Sequence, residues 1–322
     1  MPCLYAERKS MSQNELSNAN DSPLKSTSGE IVNLDLLAKK VKLSIDDHTA
    51  TIYNDGFRWH LGASIIGDKC KRKLWYTFRW VAEKSADGRM HRLWNRGHRE
   101  EERHIEWLRG LGFTVHDRDI NNPRADGTFP QIRIQNLVKG HFGGSVDGVI
   151  FFPQSWGIDE PLTLSCKTNG TGAGFNSVLK DHISVSKPQH FTQESVYGRS
   201  LGITHSLYIC ANKNDDDLAI QVVKLDFELA RQMELKAEEI VFSQTPPARL
   251  SENANFFECK NLCEFKDVCH YQKPAVRNCR SCVKCRPVDG AEFYCEQWNG
   301  IIPRDVVPKA CGEWQSITVG ND

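Results

Sequence analysis

The spacing of apolar and polar positions changes period several times along the chain. Ile31, Leu34, Leu37, Ala38 and Val41 recur at helical intervals, which predicts a short amphipathic helix. The stretch from Gly62 to Trp80 sets Lys69, Lys71, Arg72 and Lys73 beside Trp75 and Tyr76 and is expected to be helical too. A stronger helical pattern runs from His91 to Leu111, with Leu93, Gly97, Glu101, His104, Ile105 and Leu108 on one side and Gly112 as its stop. The period then drops to two. Gly144 to Phe152, alternating around Asp147, and Leu162 to Lys167 are expected strands, each bounded by Gly or Pro. Beyond a glycine-rich loop at 168–174, Pro188 opens a helix that carries Gln193 and Tyr197 and ends at Gly202. His205 to Ala211 and Ala219 to Leu225 are expected strands around the acidic turn 214–217, and 228–242 returns to helix before the break at Pro246 and Pro247.

Composition adds limits. The first 30 residues are rich in Ser, Asn, Lys and Glu and too poor in apolar side chains to offset chain entropy, so a disordered tail is expected there. The rest of the 322 residues, in a chain that is 39% hydrophobic, suffices for a substantial core. Lys plus Arg and Asp plus Glu both number 41, so any attraction to nucleic acid must come from local patches. The sequence contains no apolar run of membrane-spanning length and no secretory leader pattern, which points to a reducing cytoplasm, or a host's cytoplasm if the gene is viral. Twelve cysteines in such a compartment suggest metal binding rather than disulfides, and eight of them, from Cys259 to Cys311, crowd into the last part of the chain.

An acidic helix, two strands and a Gln-x-x-x-Tyr helix follow one another in a meaningful order. Glu101 lies on the first helix, Asp147 in Gly-Ser-Val-Asp-Gly-Val, Lys167 in Leu-Ser-Cys-Lys-Thr-Asn, and Gln193 and Tyr197 lie one turn apart. Over roughly residues 60–270 this resembles the RecB-like branch of the PD-(D/E)XK nucleases, which includes CRISPR-associated RecB-like and phage exonucleases. The resemblance implies an α/β fold with a restriction-endonuclease-like core, a central mixed β-sheet flanked by helices. The nuclease core is expected at residues 31–270, and the crowding of cysteines beyond it suggests a Cys-rich, zinc-binding extension at 271–322. Phosphodiester hydrolysis needs a hard cation, Mg²⁺ or Mn²⁺, which Glu101 and Asp147 would hold, and a fixed ammonium such as Lys167 to stabilise developing negative charge. Gln193 and Tyr197 would position DNA and the neighbouring motif. Ser165 stands where the family carries a glutamate ligand. Two explanations stay open: natural loss or rearrangement of that ligand, and deliberate inactivation of a working nuclease. His98 and Glu102 are either outer partners of the site or simply exposed.

Cys70, Cys259, Cys263 and Cys269 resemble the ligands of the four-iron, four-sulfur cluster found in some of these nucleases, although the first gap is x3 where x2 is usual. Zinc in the same four thiolates is the alternative. Tying residue 70 to residue 259 is worth roughly 5 kcal/mol if treated as a crosslink. Cys279, Cys282, Cys295 and Cys311 form a second expected set, for structural zinc, with Cys285 left free. Cys3, Cys166 and Cys210 are expected to be unliganded. Lys69, Lys71, Arg72, Lys73 and Lys187 are candidate phosphate contacts, with Trp75 and Tyr76 as stacking surfaces or, equally, core residues. The resulting expectation is a metal-dependent DNA exonuclease of recombination or repair type. Its partners would be DNA with free ends and a recombination or replication protein, with no membrane. The alternatives are a non-catalytic DNA-end-binding module that keeps the fold, and an adaptor docking proteins through its zinc tail.

Overall fold

The computed structural model describes residues 24–31, 33–54, 56–83 and 86–318. The greater part of the expected N-terminal tail, together with Cys3, lies outside them. The described residues fall into two compact units, one of residues 24–31, 33–54 and 86–92 and the other of 56–83 and 93–318. In the first, helix α1 (Leu34–Ile52) starts where the Asn33 side chain accepts the Leu36 N–H, and it runs well past the expected end at Val41. Asp46 on this helix accepts from Arg92 Nη1 at 2.6 Å.

The larger unit begins with strand β1 (Leu61–Gly62) and helix α2 (Lys71–Arg79). The helix expected from Gly62 therefore starts only at residue 71, because Cys70 is its N-cap, its Sγ accepting the Lys73 N–H. Next come α3 (Gly88–Gly110), β2 (Thr114–His116), β3 (Arg133–Leu137), β4 (Phe142–Ser145), β5 (Gly148–Phe151) and β6 (Leu162–Asn169). They are followed by α4 (Asn176–Lys180), α5 (Ile183–Ser186), α6 (Pro188–Leu201), β7 (His205–Asn212), β8 (Leu218–Lys224) and α7 (Phe227–Phe242). Pro188 at the start of α6 and Gly202 in the left-handed region at its end are the punctuation read in the sequence.

Strands β2, β5, β6, β7 and β8 form one mixed sheet in that order, with β6 parallel to β7 and the other pairs antiparallel. Joining parallel β6 and β7 requires a crossover, and α6 supplies it. Period-two alternation gives the sheet two buried faces. Leu164, Leu207 and Ile209 pack with Ile105 and Leu108 of α3, while Tyr208, Cys210 and Val223 pack with Phe175, Val178 and Ile183. The result is an α/β fold with a central mixed sheet between helices. Asp147 does not lie inside one strand, as the alternation of 144–152 suggests. The chain leaves a smaller sheet, β1-β4-β3, at Ser145 and enters the large one at Gly148. Asp147 sits at that switch, free of both ladders.

After the short helices α8 (Phe257–Asn261) and α9 (Lys266–His270), the C-terminal region forms an antiparallel sheet of β9 (Cys285–Val288), β10 (Glu292–Cys295) and β11 (Gly300–Ile301). Phe293, Val307 and Ile317 belong to the same apolar core as Trp75, Phe78 and Trp80. The buried Arg280 guanidinium lies over the rings of Phe78, Trp80 and Phe293 at 4.2, 4.3 and 4.6 Å. No helix among the described residues is long and apolar enough to cross a membrane.

Candidate active site and cysteine centres

Asp147 is the hub of the polar cluster. Its Oδ2 accepts the Cys166 backbone N–H at 2.7 Å and the Lys167 Nζ–H at 3.1 Å. Pairing strands β5 and β6 is what brings residues 147 and 167 together. Burial works against the Lys167 charge, but Asp147 and Glu194 outweigh it and hold the ammonium above the usual lysine range. Glu101 enters from α3, buried, and accepts from Gln131 Nε2 at 2.7 Å. Burial, followed by the charge of Asp147, pushes its carboxyl up to about 7. Glu101, Asp147 and Lys167 therefore share one electrostatic environment, and the two carboxylates present hard oxygen donors of the kind a divalent cation takes.

Gln193 and Tyr197, both buried on α6, bond to each other, Gln193 Nε2 donating to Tyr197 Oη at 3.0 Å. The hydroxyl end of Tyr197 closes on Gly144 of β4, where an added Cβ would collide with it. The pair thus packs behind the strand that delivers Asp147, with both side chains buried.

Ser165 is fully buried on the face of β6 covered by α6. Its Oγ makes no hydrogen bond of good geometry, and the group beside it is the carboxyl of Glu194. Glu194, absent from the sequence-derived set, is 1% exposed and accepts from Ser206 Oγ at 3.2 Å. Burial pushes it up to about 7 against the pull of Lys167. Gln131 and His104 were also missed. His104 is buried, and desolvation pushes its imidazole down to about 4. The one signal available for Glu194 was its place in the Gln-x-x-x-Tyr helix, next to Gln193, in a chain short of one acid at 165. His98 and Glu102 are exposed, Glu102 pairing with Arg99 at 3.0 Å.

Cys70, Cys259, Cys263 and Cys269 line a single cavity, together with Arg72, Lys73 and Tyr76. Burial raises the Cys263 thiol to about 11. In the second set, Cys279 has Cys311, Cys295 and Cys282 as neighbours, and burial followed by their influence lifts its thiol to about 11. Cys285 is buried beside Arg79 and Arg280, with Cys279 and Cys282 also near it and Cys295 as its register partner. Among the described residues, no three His, Cys, Asp or Glu side chains stand close enough together to share a single metal ion. Cys166 and Cys210 are buried strand residues.

The basic cluster is largely committed within the protein. Lys71 pairs with Glu239 at 2.6 Å, Lys73 pairs with Asp68 at 2.9 Å, and Arg72 Nε donates to the Pro247 carbonyl at 2.5 Å. Trp75 and Tyr76 are core residues, 0% and 3% exposed, so neither ring face is open to a base. Lys69 carries no ion pair among the described residues, and Lys187 sits at the junction of α5 and α6 beside His190.

No family model matches the chain, and no curated protein matches it. Among solved structures, an alkaline exonuclease (LHK-Exo) from Laribacter hongkongensis superposes with a TM-score of 0.38 and 13% identity, covering 56% of this chain and 86% of that one. LHK-Exo in complex with dAMP gives 0.37 at the same identity and shares. The protein SSO0001 gives 0.39 at 12% identity, covering 74% of this chain and 97% of that one.

Proposed function

We propose that this protein is a metal-dependent deoxyribonuclease whose site is built on Glu101, Asp147 and Lys167. The observation that carries the reading is the salt bridge of Lys167 to Asp147 at 3.1 Å, with the buried Glu101 carboxyl facing the same aspartate. An Mg²⁺ or Mn²⁺ ion held by these carboxylates would polarise phosphate and activate water, and Lys167 would stabilise charge on the phosphoryl oxygens. Gln193 and Tyr197 act as positioning residues behind Asp147. Action from free ends and a role in recombination or repair follow from the family resemblance alone.

In the same reading Cys70, Cys259, Cys263 and Cys269 hold a four-iron, four-sulfur cluster. The single cavity that all four line supports the cluster. Cys279, Cys282, Cys295 and Cys311 would hold zinc, closing in on it from their present neighbourhood.

The test is incubation of the purified protein with linear and circular DNA and Mg²⁺ or Mn²⁺, beside Lys167→Met. Metal-dependent loss of linear DNA that Lys167→Met abolishes is expected, and survival of circular DNA would identify exonucleolytic action. Intact DNA under every condition, with binding to DNA ends retained, would instead select a non-catalytic end-binding module.

A further inference from the structure

We propose that Glu194, on the crossover helix, takes the place of the acidic ligand that Ser165 does not provide, so that the metal site of this chain is Glu101, Asp147 and Glu194. The inference rests on the hydrolytic reading above and identifies the third carboxylate of that site.

Strand alternation sends Thr163, Ser165 and Lys167 to the face of β6 that α6 covers. Lys167 reaches Asp147 from there, and a carboxylate at 165 would project into the same space. The side chain at 165 is instead small, fully buried and without a well-formed hydrogen bond. The carboxyl that fills this region comes from the opposite wall. Glu194 is 1% exposed, rests against Ser165, and is fixed by Ser206, whose own register partner on β6 is Thr163. A short side chain on the strand and a long acidic one on the helix are complementary in volume: Glu at both positions would press two carboxylates together away from water. A buried carboxylate is costly unless paired or ligating. Here the hydroxyl of Ser206 is its one well-formed hydrogen-bond donor among the described residues, with Lys167 as the nearby cation. A divalent ion among Glu101, Asp147 and Glu194, once those side chains close upon it, would satisfy all three.

The inference makes opposite predictions from simple loss of a ligand. If the ligand were merely lost, Ser165→Glu would create metal binding. If Glu194 has replaced it, Ser165→Glu alone crowds the site and weakens binding, while Ser165→Glu combined with Glu194→Gln restores it. Titration calorimetry with Mn²⁺ alone on the full chain, beside cleavage of linear DNA, reads both. Wild type is expected to bind Mn²⁺ and Glu194→Gln to bind at least ~10-fold more weakly, since even partners one step removed from a metal cost that much when lost. The double variant should return to near wild-type affinity. Glu194→Asp, which keeps the charge and retracts it by one methylene, should also bind more weakly and guards against a folding failure of Glu194→Gln. Unchanged Mn²⁺ affinity in Glu194→Gln or Glu194→Asp, absence of Mn²⁺ binding by wild type, or a gain from Ser165→Glu alone would each overturn the assignment. If the binding pattern appears but no variant cuts DNA, the nuclease reading fails and the Glu194 ligand stands.

Discussion

Lys167 Nζ and Asp147 Oδ2 lie 3.1 Å apart across the pairing of β5 and β6, and the same oxygen accepts the Cys166 N–H. The aspartate is thus held by the strand that carries the lysine, so position and charge are set together. Replacing Lys167 with Met removes the ammonium but leaves the Cys166 contact. DNA cleavage should fall by about 10²- to 10³-fold, the usual cost of removing a preorganised charge stabiliser. Mn²⁺ affinity should hold or rise, because a competing cation has gone. Parallel cleavage assays and calorimetry separate the two effects.

Metal-free stability should decline between pH 6.5 and pH 8. Burial pushes the Glu101 and Glu194 carboxyls up to about 7. Between about pH 4.5 and pH 8 these two groups therefore hold more protons in the folded protein than in the unfolded chain, and the stability they contribute is lost as pH rises through about 7. His60, His104 and His141, pushed down to about 4 by burial, act in the opposite sense, but only below about pH 6.5. Melting temperatures at pH 6.5 and 8 should show the decline. Glu194→Gln should reduce it, and added Mg²⁺ should oppose it.

Gly144→Ala should destabilise the protein and disturb Asp147, since the new Cβ meets the Tyr197 hydroxyl. Tyr197→Phe alone should cost about 1 kcal/mol for its lost bond to Gln193. Combining the two should be milder than adding their separate effects, because removal of the hydroxyl relieves the collision. Denaturant titration of the four proteins completes that cycle.

Protein purified without oxygen should show the broad visible absorption of an iron–sulfur cluster, and Cys70→Ser or Cys263→Ser should lose it. Cys279→Ser should lower zinc content, whereas Cys285→Ser, in the core beside Arg79 and Arg280, should retain zinc and lose stability. Elemental analysis with absorption spectra separates the two cluster variants from Cys279→Ser, and thermal denaturation reads Cys285→Ser.

Phe293→Ala should cost about 3 to 5 kcal/mol, since the ring is 1% exposed and packs both the Arg280 guanidinium and Phe78. A cooperative loss of stability across the whole larger unit, followed by far-ultraviolet circular dichroism, would show that the cysteine-rich region and the sheet unfold together.

Local chemistry was readable from the sequence because it depends on neighbours along the chain. Pro188 and Gly202 bound α6, alternation marked β6 to β8, and the one-turn spacing of Gln193 and Tyr197 anticipated their contact. Strands β1 to β3 and β9 to β11 were missed, since two to five residues carry too little periodicity to register. The break at Asp147 was hidden for another reason. Val146 and Ile150 are both buried, so the alternation continues although the chain changes sheets between them. The basic cluster at 69–73 looked like a phosphate site until its partners, Glu239 and the Pro247 carbonyl, arrived from far along the chain. Glu194 shows the same division. The sequence by itself determined that position 165 lacks an acid and that a helix with Gln193 and Tyr197 follows. Only tertiary packing decided that this helix lies on β6 and turns its one buried carboxylate toward Ser165, because side-chain direction across a crossover is set by the packing of helix on sheet and not by spacing along the chain.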